Sequence, residues 1–182
     1  MPCEAARMNR RDYIAKLFPE IDRISDERLK EMVVSMWEIG MEEGGWEDLE
    51  GIPFTLLIPD VPYDLVTHTR RVTAEAIAVA EARGDLDMDL VISGAITHDV
   101  GKLLEYEKDP RGKVVKSRTG HLLRHPVTGM EIAKRVGAPA ELQHIIVTHS
   151  REGEAVRRIP ESILINHCDF IDFHIAKYRA GL

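Results

Sequence analysis

The sequence predicts an all-α fold, and three observations carry that expectation. Apolar residues recur at helical spacing in one segment after another from residue 63 onward. Gly84, Gly120, Pro139 and Pro160 punctuate those segments. Hydrophobic residues make up 44% of the chain but aromatics only 5%, so the core must be mostly Leu, Ile, Val, Ala and Met.

The elements follow in order. Residues 12–18 read as a short helix that ends at Pro19. A second helix starts near Ser25, where Asp26 and Glu27 suit a helix amino end. Its apolar positions Leu29, Met32, Val33, Met36, Trp37 and Ile39 share one face, and Gly40 or Gly44-Gly45 stops it. That face predicts packing on the rest of the chain or a homo-oligomer interface. Between residues 45 and 62 the texture changes: Gly51, Pro53, Pro59 and Pro62 bracket the run Phe54-Thr55-Leu56-Leu57-Ile58, which predicts a loop with one extended segment. Residues 63–83 form an Ala-rich helix closed by Gly84. Residues 87–105 read as one central helix, apolar nearly all round at Leu90, Val91, Ile92, Ala95 and Ile96. Pro110, Gly112 and Val114-Val115 suit a loop or short hairpin over 107–120. Helices over 121–136, 139–150 and 160–178 complete the set, with Pro139 and Pro160 near helix starts.

Several function classes are disfavoured. The formal charge of -7 argues against an extended nucleic-acid or anionic-membrane surface. No apolar run approaches the ~20 residues that cross a bilayer. The first eleven residues carry three arginines without an apolar stretch behind them, so no secretory signal is expected. Cys3 and Cys168 offer no disulfide framework, and a reducing cytoplasm is the expected location.

The chemistry-bearing residues are histidines and acids. A lone helical histidine is more often structural than a ligand, so the argument rests on the set. His98-Asp99 directly follows the apolar turn over 92–97. A buried charge there is costly unless something compensates it, and a divalent ion would. Imidazole nitrogen with carboxylate oxygen suits Mn, Fe, Co, Ni or Zn rather than calcium.

The run Ser93-Gly94-Ala95-Ile96-Thr97-His98-Asp99-Val100-Gly101-Lys102 resembles the signature of the HD superfamily of metal-dependent phosphohydrolases. His68 in Thr67-His68-Thr69-Arg70-Arg71-Val72 resembles that family's first ligand. His125 in His125-Pro126-Val127-Thr128-Gly129, His149 in Ile146-Val147-Thr148-His149, and Asp169 in the run over 164–169 follow in family order across about 110 residues. The fold this implies is an HD-domain helical bundle over residues 63–182, with an N-terminal helical extension over 1–62. The resemblance implies that His68, His98, Asp99 and Asp169 surround one ion. His125 and His149 imply a second ion, with Asp99 bridging the two. Asp172, one helical turn on and on nearly the same face, is a rival for the last ligand; motif position favours Asp169 and makes Asp172 the expected partner behind the ligands.

The implied activity is hydrolysis of a phosphoester by water that a divalent ion activates, with Asp99 and Lys102 catalytic. The expected substrate is an anionic small molecule, a nucleotide or a phosphorylated metabolite. Lys102 would meet a phosphate oxygen. The loop basic residues Arg111, Lys113, Lys116, Arg118 and Arg124, with Arg71, would attract the anion, and Arg71, Arg118, His121 and Arg124 are the further candidate substrate contacts. The form Gly120-His121-Leu122-Leu123-Arg124-His125 is similar to the HD domain of bacterial 3′–5′ exoribonucleases. Their nucleic-acid-binding module has no counterpart here, which points to a small ester instead. Two alternatives stay open. HD-type di-iron oxygenases use the same six ligands, and a metal-binding regulatory module would keep the site without turnover.

Overall fold

The computed structural model describes residues 9–182; Cys3 lies outside them. Helix α1 spans Arg10–Leu17 and α2 spans Glu27–Gly44, joined by a 3-10 turn over Pro19–Arg23. Asn9 and Asp26 cap the two helices through side-chain oxygens that accept from backbone N–H groups. Gly45, at φ 70°, ends α2 in the left-handed conformation that favours glycine. The predicted extended segment over 54–58 does not form a strand. Its region folds as turns fastened by one isolated bridge between Pro53 and Asp64, because its prolines deny the ladder its donors.

Helices α3 (Leu65–Arg83), α4 (Met88–Thr97), α5 (Lys102–Glu105), α6 (Arg118–Leu122), α7 (His125–Arg135), α8 (Ala140–Thr148) and α9 (Pro160–Arg179) make up the remainder. A two-stranded antiparallel hairpin, β1 (Tyr106–Lys108) with β2 (Val114–Lys116), stands between α5 and α6 and matches the hairpin expected there. The all-α expectation holds. No helix of the described residues is long and apolar enough to cross a membrane.

Two expected helices are each broken, and both breaks shape the site. The helix expected over 87–105 leaves α geometry at His98. Val100 N–H bonds Thr97 O, Lys102 N–H bonds Asp99 O and Leu103 N–H bonds Val100 O, a tighter i to i+3 winding. Gly101 lets the later segment over residues 125–129 approach that winding closely, since a Cβ there would run into the His125 carbonyl and the Gly129 amide. The helix expected over 121–136 is split by extended backbone at Leu123 and Arg124. Pro126 has no N–H to donate and is tolerated in a first turn, so α7 begins afresh at His125.

The apolar face of α2 packs inward. Trp37 and Met36 share one core with Phe18, Leu65, Ile92, Ile96, Val100 and Ile132, each such buried side chain contributing about 1.5–3 kcal/mol. At the solvent edge, Asp89 of α4 accepts from Ser25 N, Ser25 Oγ and Asp26 N at 2.7–2.9 Å, tying the start of α2 to the start of α4. Helices α3, α4, α8 and α9 then converge on a second apolar cluster that includes Val72, Ala76, Val91, Ala95, Ile145 and Ile165.

Candidate metal centre

Five segments deliver the site. His68 sits in the first turn of α3, His98 and Asp99 in the tight winding after α4, and His125 is the first residue of α7. His149 caps the C-terminus of α8, and Asp169 lies midway along α9. Helix ends dominate because an imidazole there can reach past its own helix into the space between helices.

The six residues gather into two groups of potential ligand atoms, His68 with His98 and Asp169, and Asp99 with His125 and His149. Within each group the atoms lie within 4.8 Å of one another. Asp99 stands between the groups. Its Oδ2 is 3.4 Å from His68 Nε2 and 3.3 Å from His98 Nε2. Its Oδ1 is 3.3 Å from His125 Nε2 and 3.6 Å from His149 Nε2.

All four imidazoles are oriented from behind. His98 Nδ1 reaches the Ala95 carbonyl and His149 Nδ1 the Ile146 carbonyl, each at 2.7 Å. His68 Nδ1 meets Asp172 Oδ2 at 2.7 Å, and His125 Nδ1 meets Glu105 Oε2 at 2.6 Å. Acceptors behind each Nδ1 leave the Nε2 lone pairs for the centre, the tautomer a metal ligand needs. Asn166 Nδ2 donates to the His149 carbonyl at 2.6 Å and fixes that helix end.

The electrostatics favour a cation. Asp99 is buried, and burial opposes its charge, yet Lys102 and His98 hold it well below the usual carboxylate range. Burial also opposes charge on His68, but hydrogen bonds to Asp169, Asp172 and Asp99 outweigh it and push the imidazole up to about 10. A proton on His68 thus answers the same surplus of negative charge that a divalent ion would. His125 is pushed down to about 4, chiefly by burial, and is neutral at pH 7. Glu105 stays ionised at about 2, since the His125 donors and Lys116 overcome its burial. Asp99 Oδ1 is buried without a hydrogen-bond partner. An orphaned carboxylate oxygen facing two imidazole nitrogens is what a divalent ion of borderline softness would satisfy. The donor set therefore fits such an ion.

A cavity of about 350 Å³ opens onto both groups, reaching Asp99 and His125 of one and Asp169 of the other. Asp99, Lys102, His125 and Asp169 line its floor, and Lys116, Arg124 and Arg151 its cationic side. Lys102 Nζ donates to Asp99 Oδ2 and to the Phe54 carbonyl. Of the expected substrate contacts, Lys102 and Arg124 reach the cavity; Arg124 is also held by Glu152 at 2.8 Å. Arg71, Arg118 and His121 do not line it. Arg71 stacks on the Tyr63 ring, 4.1 Å away, and its Nη1 is 3.4 Å from Asp172 Oδ1, beside a separate cleft. Arg118 and His121 are exposed on α6, and the break at residues 123 and 124 turns that helix away from His125. Glu105, Arg151 and the Phe54 segment were not singled out from the sequence. An acid three residues beyond Lys102 was the one local signal for Glu105.

The HD domain family model matches residues 65–173. Among curated proteins, Ribonuclease Y of Pseudothermotoga lettingae is 31% identical over 106 residues, covering 58% of this chain and 18% of that protein. Ribonuclease Y of Acidothermus cellulolyticus is 31% identical over 99 residues, covering 54% and 17%. The chain thus spans under a fifth of the length of these relatives. No solved structure matches it significantly. With more than half its length matched, from the helix bearing His68 to the one bearing Asp169, the chain belongs to the HD domain family.

Proposed function

We propose that this protein is a phosphohydrolase that cleaves a phosphoester of a nucleotide or small phosphorylated metabolite, using two divalent transition-metal ions. His68, His98 and Asp169 would hold one ion, His125 and His149 the other, and Asp99 would bridge them. The observation that carries the reading is the placement of Asp99, with one oxygen toward each pair of imidazoles and Oδ1 left without a partner. Bound ions would supply Lewis acidity and a water activated for attack near neutral pH.

The chain's own residues supply the rest. Lys102 fixes the rotamer of Asp99 and places positive charge at the cavity floor. Asp172 and Glu105 hold His68 and His125 in ligand orientation. Lys116, Arg124 and Arg151 give the cavity a cationic side in a chain of charge -7, which draws an anionic ester and stabilises charge that develops on its phosphoryl oxygens.

The test is elemental analysis of the purified protein with a screen of phosphorylated metabolites and nucleotides. A short oligoribonucleotide belongs in that screen, because the curated relatives are named as ribonucleases. Near-stoichiometric divalent metal with phosphate or phosphoester release supports the reading. Oxygen uptake by a diferrous sample, coupled to product, would replace it with oxygenase chemistry. Bound divalent metal without turnover of any of these substrates would favour a metal-binding regulatory module, and absence of any bound metal would overturn the metal-dependent reading.

A further inference from the structure

The cavity has a second side that the family region does not supply alone. Phe54, Leu56 and Leu57 line it from the turns ahead of residue 65, and Phe170 and Phe173 line it from α9. Leu57 is 73% exposed and Leu56 41%, a cost in water for two neighbouring leucines at a cavity mouth. The segment is held in place. Lys102 donates to the Phe54 carbonyl and to Asp99 with the same ammonium group. The Phe54 ring stacks on His68 at 4.6 Å and meets the edge of Phe173 at 6.5 Å. One lysine and one aromatic ring therefore fix the apolar wall to the proposed metal centre.

Resting on the proposed hydrolytic reading, we infer that the substrate is a compact phosphate ester bearing an aromatic or apolar group, and that residues 54–57 select for that group. The charge pattern sets its orientation. An anionic end suits the side lined by Lys116, Arg124 and Arg151, where Arg151 has no ion pair with any described residue. The uncharged end then lies against Phe54, Leu57, Phe170 and Phe173. A flat ring is the best match to this wall, since stacked and edge-on ring pairs add to simple burial. At about 350 Å³ the cavity is near the lower end of small-molecule sites, which span roughly 300–1,000 Å³. That volume suits a single ester rather than a threaded polymer.

The experiment compares equilibrium binding of phenylphosphonate and methylphosphonate, which are not hydrolysed, to the purified metal-containing protein by titration calorimetry. Phenylphosphonate is expected to bind at least tenfold more tightly, about 1.4 kcal/mol. The double variant Leu56→Ser/Leu57→Ser should lose most of that ratio while keeping its metal content and, within a few degrees, its melting temperature, since neither side chain belongs to the buried core. Phe170→Ala repeats the test from the opposite element. Equal affinity for the two phosphonates, no measurable binding of either, or an unchanged ratio in both variants overturns the inference. A preserved ratio in the native protein without hydrolysis of any ester would instead overturn the hydrolytic reading and leave the apolar selectivity standing.

Discussion

The two halves of the candidate metal centre are built from the same residue types but placed differently. In the half formed by His68, His98 and Asp169, here called the deep half, both imidazoles are fully buried and Asp169 alone reaches the cavity. His68 and Asp169 project from the long helices α3 and α9, and the Phe54 ring closes over His68. In the half formed with His125 and His149, here the cavity half, His149 is fully buried but the His125 imidazole lines the cavity beside Asp99. The charges behind the two histidines differ as well. Three carboxylates around His68 outweigh its burial and push it up to about 10, whereas burial pushes His125 down to about 4 and Glu105 with Asp99 only partly offset it. A site surrounded by more negative charge holds a divalent ion more strongly, and a site beside open volume has room for a substrate oxygen. If both halves hold ions as proposed, the deep half is expected to retain its ion more tightly and the cavity half to receive the substrate oxygen.

Variants can break or sharpen that assignment. Asp99→Ala should have the largest effect, because it removes the one carboxylate shared by both halves. Metal content should fall more than tenfold and turnover should vanish, with the helical circular-dichroism signal retained. Metal retained in either half would show that Asp99 does not bridge. His149→Ala should remove one equivalent of metal and leave the other, read by elemental analysis after desalting; loss of both equivalents would make the halves one cooperative unit.

Smaller effects should follow from the carboxylates behind the rings. Removing such a partner typically costs 10–100-fold in metal affinity. Asp172→Asn should weaken the deep equivalent and Glu105→Gln the cavity equivalent, by about that factor each, in competition titrations with a chelator. Identical loss of both equivalents in either variant would erase the distinction between the halves.

What the sequence disclosed follows the same division. The six candidate ligand residues were legible because each lies in a short run whose local form resembles a family motif. Asp172 was legible as well, since one helical turn from Asp169 keeps it on the same face. Arg71, Arg118 and His121 were assigned by nearness in sequence to His68 and His125, which fails where the backbone turns. The break at Leu123 and Arg124 separates His121 from His125, and Tyr63 with Asp172 draws Arg71 to another cleft. Glu105 escaped notice for a related reason. Its role depends on the tight winding after Thr97, which sets its carboxylate beneath a histidine 20 residues away. The run over 54–58 was legible as an apolar segment, but its place at the cavity was not, because it meets the centre only through tertiary contact.

A Lys102 variant should separate catalysis from assembly, with the smallest effect on metal content. The Lys102 ammonium holds Asp99 Oδ2 and the Phe54 carbonyl, and burial of the lysine, which disfavours its charge, is outweighed by Asp99. In Lys102→Met the stem is kept and the charge removed. Asp99 then loses its first electrostatic support, but the four imidazoles that face it remain. Metal content should stay within about twofold of native, since each ion would keep its imidazole and carboxylate ligands. Turnover should fall by about 10²-fold or more, the scale seen when one preorganised donor to a developing charge is removed. A parallel loss of metal and turnover would mean that Lys102 acts by building the centre, and the cavity half would then owe its chemistry to the cationic side at Lys116, Arg124 and Arg151 alone.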